Sequence, residues 1–394
     1  MKEIKKFDWT YRTGSKNGSI TFEVIPDVEK PIPEILFKLY GLSEFAVDAL
    51  LNGYIYGSHP SQLNDYFDCN AQMLEFDESS IRFLLSQGAA TRDVEDLIQN
   101  ESNRAQKITR NTFNEILYKK LGIISLTNDP GNILMWSYYT NHKGFQVEFD
   151  LSKLSFKKHG PFPINYREEL ENVKISRNDV KVGVLMQTNL KHKGWNHEKE
   201  WRILGEKENM RSPNFSEEEN EGYEDRKFRY DSLAAIKSIQ LGIRFFDDDK
   251  VDVPNNHSLI INVNPENEYK RKLLEFLAEN EIVTGIPLAP ELNKIVFWYG
   301  CLEQIGDLEF RFTVFEDLNK LPLTLHEAIQ KLLQGEERAM TAKEIADTLN
   351  QNGWYKKRDG SLIEANQIYT RKNKYPDLFE TDESISPMRI GLKR

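Results

Sequence analysis

The run Gly122-Ile123-Ile124-Ser125-Leu126-Thr127 decides how the middle of this chain is read. Gly122–Leu126 is apolar enough for a strand, and Ser125 and Thr127 place two hydroxyls at its end. Asn132–Tyr139 then reads as a short helix. Phe145–Phe149 alternates, with Phe145, Val147 and Phe149 on one face and Gln146, Glu148 and Asp150 on the other, as a strand does. Upstream, Ile35–Tyr40 reads as a buried strand. Ser43 caps a helix through Ala46, Val47, Leu50 and Leu51 that closes at Gly53, and Tyr54–Gly57 begins the next strand. Thr91–Leu121 is a long polar helical stretch, one helix or two. Downstream come a helix over Asp179–Lys191, a strand over Glu198–Leu204, strands at Ser238–Ile243 and Leu259–Val263, and a helix over Glu266–Ala278. Ile295–Tyr299 and Leu308–Phe315 read as a closing hairpin or small subdomain. Ser212–Asp225, with Glu217, Glu218, Glu219, Glu221 and Glu224, reads as an acidic loop.

The N-terminal part reads as one strand, Ser19–Ile25, followed by an arm broken by Pro26, Pro31 and Pro33. The layout is α+β, with an arm over 1–34, a mixed-sheet central domain over 35–284, a connector or sheet extension over 285–319, and a C-terminal module over 320–394. At 394 residues the chain is long for one core, which favours several domains. A hydrophobic share of 39% and a charged share of 29% describe a globular protein. No apolar run reaches membrane-spanning length, and Met1–Trp9 lacks the apolar stretch of a secretory signal. Cys69 and Cys301, the two cysteines, have no partner pattern for zinc or a disulfide framework. These features lead to the expectation of a cytoplasmic protein. A net charge of -10 excludes a polycation that binds nucleic acid over its whole surface.

In the C-terminal module, Thr324-Leu325-His326-Glu327 and Thr341-Ala342-Lys343-Glu344 are two capping boxes. The helices behind them carry Leu325, Ala328, Ile329 and Leu332, then Ile345, Ala346 and Leu349, at helical spacing, and Gly353 ends the second. A third helix from near Ser361 includes Ile363, Ile368 and Tyr369, and Ile385–Leu392 can return as a wing strand. This module resembles the HARE-HTH winged-helix family through Thr324–Ile329, Thr341–Leu349 and Tyr375-Pro376-Asp377-Leu378-Phe379-Glu380. The resemblance implies nucleic-acid or partner binding, for which Lys356, Lys357, Arg358, Arg371, Lys372 and Lys374 are the candidates. Asp359, Glu364, Asp377 and Glu380 balance those charges, so protein docking stands beside DNA contact.

Three clusters carry the central domain: Leu39-Tyr40 with Tyr54–Ser58 and Asn64–Asp68; Gly122–Thr127 with Met135–Tyr139 and His142–Phe145; and Lys191–Trp195 with Glu198–Arg202. Together, over Leu36–Ile261, they resemble a bacterial family known as domain of unknown function 2971, often found near abortive-infection or phage-defence genes. Tyr66 stands where that family usually has proline. The order of strands, the Ser125-x-Thr127 end and the later Glu198-x-Glu200 resemble the ADP-ribosyltransferase arrangement. That resemblance implies NAD as substrate, Glu200 as the catalytic carboxylate and Glu198 as the residue orienting the acceptor. Tyr40, Ser125, Thr127, Trp136, Tyr139, His142 and Arg202 would bind the dinucleotide. Period-two geometry would set Glu198 and Glu200 on one strand face.

Each feature has a plainer reading. Glu198 and Glu200 beside Lys199 and Arg202 also describe a solvated strand with ion pairs. Trp136, Tyr138 and Tyr139 also describe core, and Ser125 and Thr127 describe capping. Two further functions stay open. One is a nuclease gathering Asp65, Asp68, Glu148 and Glu200 round Mg²⁺; the other is a non-catalytic sensor or adaptor.

Overall fold

The computed structural model describes residues 2–393 other than 17–18, 29, 66, 88–93, 214–220, 256, 288–294, 296, 316–324, 337, 353–354, 356–361 and 383–386. Leu121–Thr127 forms a strand in which every residue but Ser125 is buried, as an apolar run covered on both faces must be. It pairs antiparallel along its whole length with Glu200–Glu206, placing Glu200 opposite Thr127 and Arg202 opposite Ser125. Lys158–Pro163 flanks the Glu200 strand on its other side. Ile35–Tyr40 meets Leu121–Thr127 where Phe37 lies opposite Thr127.

The strand expected from Glu198 begins instead at Glu200. The ladder stops where Thr127, the last residue of the neighbouring strand, leaves nothing further to pair with. Glu198 ends a 3-10 turn, Lys193–Glu198, and Lys199 turns the chain through a left-handed conformation at φ 45°. The helix expected over Asp179–Lys191 covers Val180–Asn189. Its last two expected residues, Leu190 and Lys191, instead begin the strand Leu190–His192, parallel to Asn165–Arg167.

Two compact units divide the chain. The first comprises Met1–Leu39, Tyr54–Tyr139 and Ser155–Tyr230. Its N-terminal part is a three-stranded antiparallel meander, Lys2–Lys6, Trp9–Lys16 and Ser19–Pro26. The first two strands escape the sequence reading, the first because Lys2, Lys5 and Lys6 blur its alternation. The turn between them is held by Phe7 and Asp8 at positive φ. The stretch expected as one helix or two is two, Val94–Asn100 and Ser102–Tyr118. The second turns Ala105, Thr109, Phe113 and Leu117 inward at a spacing of four, joining a core with Leu85, Val182 and Leu185. Gly122 and Gly205 are cross-strand partners, and a Cβ on either would sit 2.6 Å from the Phe228 ring. Glycine there lets the ring lie flat against two backbones.

The second unit comprises Tyr40–Gly53, Thr140–Leu154 and Asp231–Arg394. Its strands follow the order Lys250–Asn255, Ser258–Asn262, Glu309–Val314, Phe297–Gln304, Thr284–Pro287, Ile236–Leu241 and Phe145–Asp150. All neighbours are antiparallel except Ile236–Leu241 with Thr284–Pro287, so the sheet is mixed. The helix Glu268–Glu279 lies on the crossover between that parallel pair and packs against Glu44–Leu51. The hairpin Phe297–Gln304 and Glu309–Val314 belongs to this sheet. Of the expected acidic loop, 214–220 lies outside the described residues, and Glu221–Asp225 is a short helix.

After residue 324 come the helix Leu325–Glu336, the strand Met340–Thr341, the helices Ala342–Asn352 and Ala365–Lys374, and the strands Phe379–Asp382 and Arg389–Leu392. The strand Arg389–Leu392 lies between the other two. Leu325, Ala328, Ile329, Ile345, Leu349, Ile368 and Ile390 share one core. The second capping box is reciprocal: the Glu344 N–H donates to Thr341 Oγ1 (3.2 Å) and the Thr341 N–H to Glu344 Oε2 (2.7 Å). Thr324 of the first, Ser361, Gly353 and Ile385 lie outside the described residues. The third helix starts later than expected because Glu364 and Gln367 form its cap.

His326 stacks on Tyr375 with ring centroids 4.0 Å apart. Burial, with Arg371 and Lys237 nearby, lowers its pKa from 6.5 to about 4 against the opposing pull of Glu327. The folded chain therefore keeps the ring neutral, while the unfolded chain protonates it near its ordinary value. Stability is lost as pH falls from about 6.5 towards 4, by on the order of 3 kcal/mol at most. Between pH 7 and pH 5, thermal denaturation is expected to show a larger loss for wild type than for His326→Phe. Equal losses would count against this account.

Candidate functional site

Five charged side chains meet in the first unit, brought there by three short segments. Glu200 and Arg202 stand two apart on their strand and so share a face. Lys191 comes from the short strand Leu190–His192, and Asp68 from the loop before Ala71–Met73. Arg202, 1% exposed, forks onto Asp68 with two contacts of 2.9 Å and onto Glu200 Oε1 at 2.6 and 3.0 Å. It also donates to the Thr188 carbonyl (2.8 Å) and to Cys69 Sγ (3.1 Å). Lys191 Nζ lies 2.5 Å from Glu198 Oε2, 3.1 Å from Glu200 Oε2 and 3.5 Å from Asp68 Oδ2. Formally this is three negative charges against two positive ones.

The electrostatics follow from burial opposed by pairing. Desolvation would raise the pKa of Glu200, yet Arg202 and Lys191 outweigh it and hold the carboxyl below its usual range. Asp68 is held low in the same way. Burial would lower Lys191, but Glu200 and Asp68 raise it. The Cys69 thiol is pushed up by burial, which removes it as a thiolate nucleophile.

Glu198 is 3% exposed. Its Oε1 accepts a short hydrogen bond from the Tyr139 hydroxyl, which in turn accepts from Asn64 Nδ2 at 3.1 Å. Its backbone carbonyl accepts from Thr127 Oγ1 at 2.8 Å. The Glu200 N–H donates to Tyr166 Oη at 2.9 Å. Lys38 Nζ donates to the Ser125 carbonyl at 3.3 Å, and burial lowers its pKa to about 8 against the pull of Glu200. Lys38, Asn64, Ser125, Thr127, Tyr139, Lys191, Glu198 and Glu200 line one cavity of about 340 Å³, a size at the lower end of small-molecule sites.

Of the residues singled out in the sequence, Ser125, Thr127, Tyr139, Glu198 and Glu200 come together at this cavity. Glu198 and Glu200 do so through the left-handed turn at Lys199, not through the expected strand periodicity. Arg202 stands behind them as a counter-ion. Trp136 is core, fully buried with its Nε1 donating to the Pro130 carbonyl, because its helix packs that face inward. Tyr40 stacks on Phe145 at 5.3 Å, and His142 sits in a positive-φ turn whose carbonyl crowds Gly242. Both belong to the second unit.

The carboxylates proposed for Mg²⁺ are otherwise engaged. Asp65 Oδ1 accepts from the Phe67 N–H, Glu148 accepts from Ser238, and Asp68 and Glu200 are bound to Arg202 and Lys191. Among the described residues no group of three His, Cys, Asp or Glu could hold a metal ion, and no helix is long and apolar enough to cross a membrane. The sequence reading missed Lys38 and Tyr166, and it named Asn64 and Lys191 within its clusters without giving either a role at the site. A lysine at an expected helix end carries no local signal that it will be buried.

Arg202 is the keystone of the cluster. Arg202→Met would leave Asp68 and Glu200 buried with Lys191 as their only remaining cation in this cluster. Urea denaturation at neutral pH is expected to show a loss of about 3–5 kcal/mol. A loss below about 1 kcal/mol, the range of exposed pairs, would refute the buried network.

The profile of the family described as "Protein of unknown function (DUF2971)" matches residues 135–203. That is narrower than the resemblance read from the sequence, but it holds Tyr139, Lys191, Glu198, Glu200 and Arg202. No curated protein and no solved structure matches the chain.

Proposed function

We propose that the cavity binds the nicotinamide riboside end of NAD and breaks its N-glycosidic bond, by hydrolysis or by transfer of ADP-ribose to an acceptor. The observation that carries this reading is the gathering of three buried carboxylates, Asp68, Glu198 and Glu200, at one cavity wall, with Lys191 and Arg202 paired to them and Lys38, whose pKa is lowered to about 8, as the third cation. Once Lys38 gives up its proton the low-dielectric wall carries one excess negative charge, which favours a cationic pyridinium ring and the oxocarbenium-like state that follows it. In the reaction the bond from the ribose C1′ to the ring nitrogen breaks, and its electron pair leaves with nicotinamide, now neutral. Water or an acceptor hydroxyl then adds at C1′ and gives up a proton. Glu198, joined to Tyr139 and Asn64, is the acceptor of that proton. Glu200, fixed by Arg202 and Lys191, is the electrostatic stabiliser. NAD depletion of this kind would suit a toxin or defence effector.

Incubation of the purified chain with NAD is expected to release nicotinamide, measured by chromatography. Glu198→Gln and Glu200→Gln should each slow release at least about a hundredfold, the scale of losing one general base or one preorganised charge. Intact NAD with the wild-type chain, at pH 7 and at pH 8, would overturn the reading.

The C-terminal residues are read as a winged-helix module, supported by the order helix, strand, helix, helix, strand, strand. Docking within the chain suits it better than DNA contact. Arg371, on the third helix, is buried against Glu281 at 2.5 Å, and Lys374 Nζ donates to the Glu279 carbonyl at 3.3 Å. Lys372 is half-buried, and Lys356, Lys357 and Arg358 lie outside the described residues. Limited proteolysis of Arg371→Glu is expected to release a C-terminal fragment several-fold faster than wild type, with Arg371→Glu/Glu281→Arg restoring resistance. Tight DNA binding by wild type at 150 mM salt, lost in Arg371→Glu, would instead favour nucleic-acid contact.

A further inference from the structure

A second cleft of the first unit, about 580 Å³, is lined by Phe67, Trp195, Asn70, Gln72, Asn172 and Asp65, among others. It is built from the same two segments as the charged cavity. The loop around Asp68 turns Asn64 and Asp68 to the cavity and Phe67 and Asn70 to the cleft. The segment after Lys191 turns Lys191 and Glu198 to the cavity and Trp195 to the cleft. Lys191 Nζ lies 5.2 Å from the Trp195 ring centroid, so the ring that lines the cleft also touches the cation bridging Glu198 and Glu200.

We infer that this cleft is a subsite for a flat, uncharged heteroaromatic base of the adenine type. Phe67 is 59% exposed and lines the cleft together with Trp195. Aromatic faces hold bases by stacking. Amide side chains supply both donors and acceptors for the edge of a base, and Asn70, Gln72 and Asn172 bring three of them to the same cleft. No lysine or arginine is among the described residues that line it, and the chain carries a net charge of -10. Among the described lining residues a phosphate chain or nucleic-acid backbone would meet Asp65 and find His192 alone to answer it, whereas a neutral base needs no counter-charge. The occupant is therefore a single base, free in a nucleoside or at the far end of a dinucleotide. The second source rests on the NAD reading of the neighbouring cavity; the first does not.

Ligand-observed NMR with the full chain separates these. Saturation transfer to the ring protons of adenosine, of NAD and of a ten-nucleotide single strand would be measured for wild type, Trp195→Ala and Phe67→Ala. Transfer to adenosine is expected, with affinity falling about tenfold in either variant, the scale of one stacking contact; variants are compared only at wild-type melting temperature. Adenosine binding without NAD cleavage would uphold the subsite and sink the proposed activity. NAD cleavage with no adenosine signal, or adenosine binding unchanged in both variants, would overturn the subsite. So would binding of the oligonucleotide alone.

Discussion

Arg202 sits where no water can reach it, and everything at the cavity wall is arranged around that fact. A buried guanidinium must have its donors met and its charge answered. Asp68, Glu200, the Thr188 carbonyl and Cys69 do so from three separate parts of the first unit. Two carboxylates on one cation need a second cation, which is Lys191, and Lys191 in turn draws in Glu198. The cluster is thus a chain of obligations, each charge admitted to the interior only because the next one is there.

Such clusters are costly to build and seldom the best route to stability, since apolar residues of similar volume would often serve as well. What ionised groups offer instead is a preorganised field. Here the field borders a cavity that Asp68, Glu198 and Glu200 all line. The left-handed Lys199 belongs to the same economy of means: a non-glycine residue at φ 45° is strained by about 1–2 kcal/mol, yet it turns Glu198 back beside Glu200. Strain of this kind gathers at sites where position matters more than stability.

The charged cavity and the neighbouring cleft share their walls. The loop that brings Asp68 inward leaves Phe67 outward, and the segment that buries Lys191 sets Trp195 over its ammonium. In the second unit the same logic of pairing fixes the third C-terminal helix, whose Arg371 is spent on Glu281 and is not offered to solvent.

Local pattern determined much of this protein. The apolar run ending in Ser125 and Thr127, the alternation of Phe145–Phe149, the helix of Ala105, Thr109, Phe113 and Leu117, and the Thr341–Glu344 cap are all written within a few neighbouring residues, because hydrogen-bond ladders and helical faces are short-range. Glu198 and Glu200 were legible as a pair, but for a reason the structure replaced: their convergence comes from a turn and a shared lysine, not from strand periodicity. Lys38 and Tyr166 were not legible at all, Lys191 was named in a cluster without a role, and Tyr40, Trp136 and His142 were read into a site whose lining does not include them. Which side of a buried strand faces a cavity, and which distant charge answers another, depends on how segments far apart in the chain are stacked. Only the tertiary structure decides that, since a lysine costs the same in sequence whether it is destined for water or for three carboxylates.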